Sequence, residues 1–312
     1  MPVKKLSVIV PCYNEADVIT DSYSSIKKVL ETNFPDLHEM IFIDDGSTDN
    51  TLSLLRELAA KDSTVKIITF SRNFGQQPAI SAGIHCCQGE LAVIMDADLQ
   101  DPPALIPEMV RMHEKEKANV IYAVRRQRLG EGAFKKITSS LYYRILNYLS
   151  NMELHEDTGD FRLIDKNVID AFRALKEKNK YIRGLISWLG FKQIPVYYDR
   201  SPRFKGKTKY SLSKMLSFAG TGLLYFSTKP LLLTVILGFL CTLVGLFLGV
   251  FFVIKKALYP QEFVHGWTST IIIIIFFGGI QLISIGVLGR YIGSIFEEIK
   301  GRPEYIIKEQ IN

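Results

Sequence analysis

The sequence contains few cysteines and histidines, and their spacing fits no metal site. None of the four cysteines has the spacing of a metal-binding set, and the five histidines are scattered along the chain. Cys241 lies in a long apolar run, and the other cysteines suit reduced thiols of the cytosol. We therefore interpret these residues as parts of the structure or the surface.

Two common glycine motifs for nucleotide binding are also missing. A phosphate-binding loop needs a glycine near position 201, five residues before Gly206-Lys-Thr208, but Ser201 stands there and no strand precedes it. The pattern G-x-G-x-x-G does not follow the first predicted strand, and Gly220-Thr-Gly222 has Tyr225 in place of the last glycine. These absences argue against a P-loop NTPase and against a dinucleotide-dependent oxidoreductase.

Two long segments near the C-terminus lack charged residues. Residues 231–254 and 268–289 each exceed the ~20 residues that cross a ~30 Å hydrocarbon core as a helix. Both are apolar on every face, which argues against buried core helices. The sequence therefore predicts a hairpin of two transmembrane helices joined by residues 255–267, with Tyr259 and Trp267 at the far interface. The glycines at 278, 279, 286 and 289 suit either packing within this hairpin or a homo-oligomer.

The charge around the hairpin predicts its orientation. Residues 201–230 contain six basic residues and no acid, and the apolar run after Met1 is too short for a signal peptide. We expect a multi-pass protein of the inner (plasma) membrane whose soluble domain and both termini are cytoplasmic. The net charge of +6 and the amphipathic stretch 211–226 favour contact with the membrane surface over nucleic acid. The alternative for 211–226 is a helix packed on the soluble domain.

The first 199 residues alternate between apolar runs and amphipathic segments. Predicted strands are 6–10, 40–43, 65–70, 91–95 and 120–124, and predicted helices are 15–31, 51–60, 78–87 and 105–117. This alternation predicts an α/β fold with a mostly parallel sheet and helices on both faces. Polar loops follow all five strands, at the edge where such sheets bind ligands. Asp96 and Asp98 supply oxygens of the kind that Mg²⁺ or Mn²⁺ prefers beside phosphates, although a solvated Asp-rich loop is the alternative.

Four motifs occur in an order that is typical of one family. Val10-Pro-Cys-Tyr-Asn-Glu15, Asp44-Asp-Gly-Ser47, Asp96-Ala-Asp-Leu-Gln100 and Gly159-Asp-Phe-Arg162 resemble the inverting family 2 glycosyltransferases with the GT-A (Rossmann-like) fold. The resemblance is strongest to the polyprenyl-phosphate branch, and residues 203–211 before the hairpin resemble its bactoprenol-type members. It implies a catalytic domain at 1–199, a basic amphipathic juxtamembrane segment at 200–230, the hairpin at 231–289 and a cytoplasmic tail at 290–312.

The resemblance also implies roles for individual residues. The implied nucleotide-binding residues are Pro11, Tyr13, Glu15, Asp44, Asp45, Arg72 and Asp96, with Asp44 accepting a hydrogen bond from the base. The implied ligands of Mg²⁺ or Mn²⁺ are Asp96, Asp98 and Gln100. For Asp45 a helix-capping role stays open, and Asp101 could cap the helix that follows it.

The implied reaction transfers a hexose with inversion to a polyprenyl phosphate, with a UDP-sugar such as UDP-glucose favoured over GDP-mannose and undecaprenyl phosphate as the favoured acceptor. Asp157 is the implied base and Asp160 the runner-up, but a phosphate dianion hardly needs a base. Either residue could instead position a substrate or form a structural turn. The implied ligands of the acceptor phosphate are Arg125, Arg128, Arg162, Arg203 and Lys209.

Two related classes fit less well. A processive polysaccharide synthase needs more spans and a Gln-x-x-Arg-Trp motif, and neither Trp188 nor Trp267 follows an arginine. A non-catalytic membrane adaptor would be expected to lose its carboxylates, whereas Asp44, Asp96, Asp98 and Asp157 are all present.

Overall fold

The computed structural model of the chain describes residues 5–35, 38–125, 158–177, 180–199, 229–258 and 267–312. The predicted amphipathic stretch 211–226 lies outside these residues, as do four of the predicted site residues, Asp157, Arg128, Arg203 and Lys209. The chain divides into two compact units. One unit contains the described residues up to 199 together with 302–312, and the other contains the two long helices.

The first unit is built on a sheet whose first four strands are parallel. The strands β1 (Leu6–Cys12), β2 (His38–Asp44), β3 (Val65–Phe70) and β4 (Leu91–Ile94) lie side by side in the order β3-β2-β1-β4. Their apolar side chains are almost completely removed from solvent. Continuous Val- and Ile-rich runs of this kind form central parallel strands because both of their faces are covered by helices. The predicted α/β fold is confirmed.

Helices connect these strands as the periodicity predicts. They are α1 (Ile19–Asn33), α2 (Thr51–Lys61), α3 (Gln76–Cys86) and α4 (Ile106–Glu116). The residue before α2 is Asn50, whose side chain makes no capping bond, and the backbone N–H of Thr51 donates to Asp49 Oδ1 at 3.0 Å. The cap proposed at Asp101 is not found. No side chain caps the 3-10 turn Pro103–Leu105 that precedes α4, so Asp101 does not act there.

Three further strands extend the sheet beyond β4. They are β5 (Val120–Arg125), β6 (Thr158–Asp165) and β7 (Gln193–Tyr198), and the helices α5 (Lys166–Ala174) and α6 (Ile182–Trp188) lie between β6 and β7 in the chain. Strand β6 runs antiparallel to both β4 and β5. Because of this reversal β6 begins, at Thr158, at the same edge of the sheet where β1, β2, β4 and β5 end. We call this edge the carboxyl rim.

The C-terminal residues add a strand that the sequence analysis did not predict. Strand β8 (Ile307–Ile311) pairs antiparallel with β3 at the edge of the sheet. Just before it, the Tyr305 ring stacks on Phe70 with ring centroids 4.9 Å apart, and the N–H of Ser71 donates to the carbonyl of Ile306 at 3.0 Å. The segment interpreted as a tail is therefore part of the sheet, and it covers an edge that would otherwise present unpaired backbone groups.

The second unit contains α7 (Lys229–Leu258) and α8 (Trp267–Ile299). Residues Thr234–Lys255 and Phe276–Ile299 are each long and apolar enough to cross a membrane, and their side chains are not buried within the protein. The two predicted helices are thus found. The second helix continues ten residues past the predicted end at Gly289, since Arg290 and the residues after it remain helical to Ile299.

Candidate active site

The loops after β1 and β2 are joined at the carboxyl rim by hydrogen bonds. Asn14 adopts the left-handed conformation, with a φ of 53°, and its Oδ1 accepts from the N–H of Thr48 at 2.8 Å. The Asn14 N–H donates to Ser47 Oγ at 2.9 Å, and the Glu15 N–H donates to Thr51 Oγ1 at 2.9 Å. The two predicted nucleotide loops therefore form one rigid surface. On it, Tyr13 is 36% exposed, and Pro11 and Glu15 are half-buried.

Asp44, the last residue of β2, has one carboxylate oxygen that accepts no hydrogen bond from the described residues. Its side chain is buried and its Oδ1 accepts from the N–H of Ser47 at 3.2 Å, but its buried Oδ2 has no hydrogen-bond partner among the described residues. Burial raises the pKa of this carboxyl above its ordinary value. A buried oxygen without a donor at the rim is a position where a bound ligand would supply one.

Asp45 fixes the loop that follows β3. Its two carboxylate oxygens accept from the N–H groups of Phe74 at 2.6 Å and Gly75 at 2.8 Å. It thus binds the backbone immediately before α3 and has no capping bond to α2. Gly46 permits this close approach, because a Cβ at that position would lie 2.5 Å from the backbone carbonyl carbon of Arg72. The Arg72 side chain itself is exposed, and its guanidinium lies 3.9 Å from the centre of the Phe74 ring.

The turn after β4 carries the three predicted metal ligands. Asp98 Oδ1 accepts from the backbone N–H of Gln100 at 3.1 Å, and Leu99 between them has a φ of 57°. A branched apolar residue in this conformation is strained, and such strain is typical of functional turns. Burial and the neighbouring carboxylates, Asp160 foremost, raise the pKa of Asp96 to about 8.

Asp160 lies opposite Asp96 at the start of β6 and has two donors. Arg183 Nε donates to its Oδ1 at 2.6 Å, and Gln76 Nε2 lies 3.3 Å from its Oδ2. The same Gln76 nitrogen donates to Asp96 Oδ1 at 2.7 Å. Burial opposes the ionisation of Asp160, but Arg183 outweighs it and leaves the pKa below its ordinary value.

Gln76 and Arg183 were not predicted as site residues. Gln76 directly follows the loop after β3, so its position beyond a strand end could have indicated it. Arg183 lies in a helix far along the chain, between predicted motifs, and the sequence carries no signal for it.

Two predicted phosphate ligands occupy different surroundings. Arg162 is only 4% exposed and donates through Nη2 to the carbonyl of Gly159 at 3.1 Å, and burial lowers its pKa to about 10. Arg125 Nε donates to Tyr198 Oη at 3.2 Å, and that hydroxyl donates in turn to Asp101. Arg125 is therefore at the rim, whereas Arg162 is a buried positive charge close to Asp160.

The oxygen atoms of Asp96, Asp98 and Gln100 suit a hard cation that also binds the phosphates of a substrate. Within the described ranges no group of three or more His, Cys, Asp or Glu side chains is arranged to hold a metal by itself. The predicted set has two carboxylates and one amide oxygen, and Mg²⁺ commonly takes one or two carboxylates and completes its shell with substrate phosphates. The carboxylates that raise the pKa of Asp96 also favour a cation here, so the residues fit such an ion.

Comparison with known proteins agrees with this architecture. The family model described as glycosyl transferase family 2 matches residues 7–173. The chain is 46% identical over 303 residues to the uncharacterized glycosyltransferase YkcC of Bacillus subtilis, covering 97% of this chain and 93% of that protein. It is 36% identical over 304 residues to the prophage bactoprenol glucosyl transferase homolog of Escherichia coli, covering 97% of this chain and 98% of that protein.

A solved structure shows the same fold. Glucosyl-3-phosphoglycerate synthase of Mycobacterium tuberculosis superposes with a TM-score of 0.50 at 18% identity, over 72% of this chain and 80% of that one. At this identity the likeness concerns the GT-A fold alone. The relatives and the family model together establish that the chain belongs to glycosyl transferase family 2.

Proposed function

We propose that the protein transfers a hexose from a UDP-sugar, with UDP-glucose favoured, to a polyprenyl phosphate, with undecaprenyl phosphate favoured, and that the configuration at the sugar inverts. The observation that carries this proposal is the carboxyl rim, where a buried acceptor on Asp44 and the cluster of Asp96, Asp98 and Asp160 lie on one sheet. Relatives named bactoprenol glucosyl transferase align with 97–98% of the chain, which includes both long helices.

The donor nucleotide would lie on the joined loops after β1 and β2. The unpartnered Oδ2 of Asp44 is a hydrogen-bond acceptor, and the ring N–H of uracil is a donor of the matching kind. Pro11, Tyr13 and Glu15 are proposed to frame the base and ribose, and Asp45 fixes the neighbouring loop after β3. Arg72, exposed at that loop, is proposed to contact the nucleotide from outside.

The metal site is proposed at Asp98 and Gln100, with Asp96 bound to the cation or to the ribose. A bound Mg²⁺ or Mn²⁺ would neutralise the charge that develops on the departing diphosphate. Leu99, between the two proposed ligands, holds the left-handed conformation, with a φ of 57°. Asp98 is further fixed by the N–H of Gln100.

Asp160 suits the positioning of a substrate better than the removal of a proton. Its two donors and lowered pKa keep it ionised at neutral pH, which makes it a weak base. The acceptor phosphate is itself mostly dianionic at pH 7 and can attack the anomeric carbon directly. The proposed base Asp157 lies outside the described residues and remains a sequence-based proposal.

Cations are proposed to hold the acceptor phosphate beside the sugar. Arg125 is at the rim, and Arg162 supplies a buried positive charge near Asp160. The proposed set is completed by Arg128, Arg203 and Lys209. In this proposal α7 and α8 cross the plasma membrane, and the catalytic domain and both termini face the cytoplasm.

The deciding experiment follows radiolabel from UDP-glucose, UDP-N-acetylglucosamine or GDP-mannose into undecaprenyl phosphate, with Mg²⁺, Mn²⁺ or EDTA. We expect lipid label from one UDP-sugar and its loss with EDTA. Label from GDP-mannose would instead indicate a polyprenyl-phosphate mannose synthase. No lipid label from any donor, with nucleotide binding retained in calorimetry, would contradict the proposed acceptor.

The acceptor site has a separate test. Arg203→Ala should raise the KM for undecaprenyl phosphate about tenfold or more and leave the KM for the nucleotide sugar nearly unchanged, since a lost charged contact costs ~1.5–3 kcal/mol. Lys205→Ala, which removes a charge two residues away, is the matched control. If the two variants have the same KM for undecaprenyl phosphate, Arg203 does not bind the acceptor phosphate.

A further inference from the structure

One amide group links the two carboxylates that face each other at the carboxyl rim. Gln76 is the first residue of α3, and its Nε2 lies 2.7 Å from Asp96 Oδ1 and 3.3 Å from Asp160 Oδ2. A side-chain amide nitrogen carries two hydrogens, so it can donate to both carboxylates at once. Asp96 follows β4 and Asp160 begins β6, and Gln76 therefore joins groups from two strands through a third element.

The position of Gln76 is itself fixed from two directions. The two N–H groups before it donate to Asp45, and Gly75 has a φ of 109° that few other residues adopt. Behind it, α3 lies so close to the sheet that a Cβ on Gly83 would be 2.2 Å from Ile9 Cγ2. Close packing at Gly83 and the bonds to Asp45 thus define where the first residue of α3, Gln76, lies.

The next residue supports the opposite side of Asp160. Gln77 Oε1 accepts from the backbone N–H of Ile182 at 2.9 Å, at the first residue of α6. Arg183, the following residue, donates from α6 to Asp160 Oδ1 at 2.6 Å. Two consecutive glutamines of α3 thus act on Asp160, Gln76 directly and Gln77 through the helix that carries Arg183.

We propose that Gln76 is a positioning residue that sets the separation of Asp96, on the donor side, from Asp160, on the acceptor side. This inference rests on the proposed function, because it assigns the two carboxylates to the two substrates. Two carboxylates at short range repel each other, and a shared donor offsets that repulsion. A neutral amide does so without placing a positive charge that would compete with the cation for Asp96.

The test compares Gln76→Leu, Gln76→Glu and the control Gln88→Leu in the transfer assay. Gln88 lies beyond the other end of α3, where its Oε1 accepts from Lys5 Nζ at 3.1 Å. We expect Gln76→Leu to lower kcat about 10- to 100-fold with the donor KM changed less than about threefold, since misplacing reacting groups costs rates of this size. We expect Gln88→Leu to behave as the wild type.

The variant Gln76→Glu distinguishes a positioning role of Gln76 from a role in packing alone. Glutamate has the size and shape of glutamine, so a packing role predicts a milder effect than that of leucine. The proposed role predicts a larger loss, with a kcat about tenfold below that of Gln76→Leu, because a third carboxylate would repel Asp96 and Asp160. If Gln76→Leu does not fold, Gln76→Glu is compared directly with the wild type, and an unchanged kcat overturns the inference.

Several outcomes would overturn the inference. They are a Gln76→Glu enzyme as active as the wild type, a Gln76→Leu loss confined to the donor KM, and an equal loss of kcat in Gln88→Leu. A wild-type protein that transfers no sugar to lipid overturns the proposed function and this inference with it. An active wild type with unimpaired Gln76 variants overturns this inference alone.

Discussion

Three buried acids of the same sheet, Glu39 at one end and Asp44 and Asp96 at the other, have pKa values that move in opposite directions. At the amino ends of β1 and β2, Glu39 is 2% exposed and its Oε1 accepts from Ser7 Oγ at 2.5 Å and from the Gln88 N–H at 2.6 Å. Its Oε2 lies 2.7 Å from Lys66 Nζ. Burial disfavours the charge on Glu39, but these partners outweigh burial and leave its pKa below the ordinary value.

At the carboxyl rim Arg183 keeps the pKa of Asp160 low, but for Asp44 and Asp96 the balance is reversed. Burial raises the pKa of Asp44, and burial together with neighbouring acids raises that of Asp96 to about 8. Lys66 places a cation against Glu39, whereas Asp44 accepts from the backbone N–H of Ser47 and Asp96 from the neutral amide of Gln76. Buried acids that lack a countercharge destabilise a fold, and they concentrate at functional sites. The contrast supports the proposed division between Glu39 as a structural acid and Asp44 and Asp96 as substrate-binding acids.

The largest effect is expected from Asp98→Asn, which tests the metal site proposed at the carboxyl rim. Removing one negative charge from the proposed metal site should lower metal-dependent transfer more than about 100-fold while the melting temperature stays within ~2 °C of the wild type. Transfer rates and thermal unfolding of the detergent-solubilised protein measure the two quantities. Asp17→Asn, at an exposed aspartate, is the control. Retained turnover would remove Asp98 from the metal site.

Glu39→Gln should show the complementary pattern at the other end of the sheet. It leaves the half-buried Lys66 without its carboxylate, so we expect the free energy of unfolding to fall by about 3 kcal/mol. The kcat per folded molecule should stay unchanged. Glu57→Gln, at an exposed glutamate, should alter neither quantity. A loss of kcat without a loss of stability would contradict the structural assignment of Glu39.

Asp44→Asn tests whether Asp44, at the carboxyl rim, binds the nucleotide sugar or is a structural acid like Glu39. The amide presents a donor where the carboxylate presents an acceptor, so we expect the KM for the nucleotide sugar to rise about tenfold or more. Stability should not fall, because a buried carboxyl with a raised pKa is itself unfavourable. Kinetics and thermal unfolding together test this prediction. An unchanged KM with a lowered melting temperature would make Asp44 a second structural acid.

The smallest effect concerns the pH dependence of stability and a further acid, Asp62. Burial alone would raise its pKa, but Lys27 Nζ at 2.8 Å and the hydroxyl of Thr64 at 2.7 Å hold it below the ordinary value. A lowered pKa in the folded state adds stability above the unfolded value of ~3.9, and this stability is lost as the pH falls further.

Asp62→Asn should therefore cost about 1–2 kcal/mol at pH 7 and at pH 5 alike, and the difference from the wild type should shrink below about pH 4. Thermal unfolding of both proteins across this range measures the difference. A difference that already disappears between pH 7 and pH 5 would contradict the assignment.

The sequence predicts the parts of the fold that have strong local periodicity. Strands β1 to β5 and the helices between them follow from buried apolar runs and amphipathic spacing. Strand β6 is missing from the predicted strands because Gly159 and Asp160 are poor strand formers. Tertiary pairing with β4 and β5 overrides that preference. Strand β8 is short and partly polar, and its partner β3 lies far away in the sequence.

For the candidate site, the sequence predicts where the aspartates lie but not the contacts between them. The aspartates at strand ends follow from the motifs and from the geometry of parallel sheets. The links between them do not, since the shared amide of Gln76 and the Asp101–Tyr198–Arg125 network depend on how β6, β7 and α6 are placed. A single glutamine or tyrosine carries no pattern that would indicate such a contact.

The strand β8 has a consequence for how the protein is made. It pairs with β3 but is translated only after α7 and α8. Roughly 240 residues separate the two strands, so at ~5–20 residues per second the open edge of β3 waits about 10–50 s for its partner on the ribosome. During that interval the nascent sheet exposes a pairing edge, and both long helices are synthesised before the sheet can be completed.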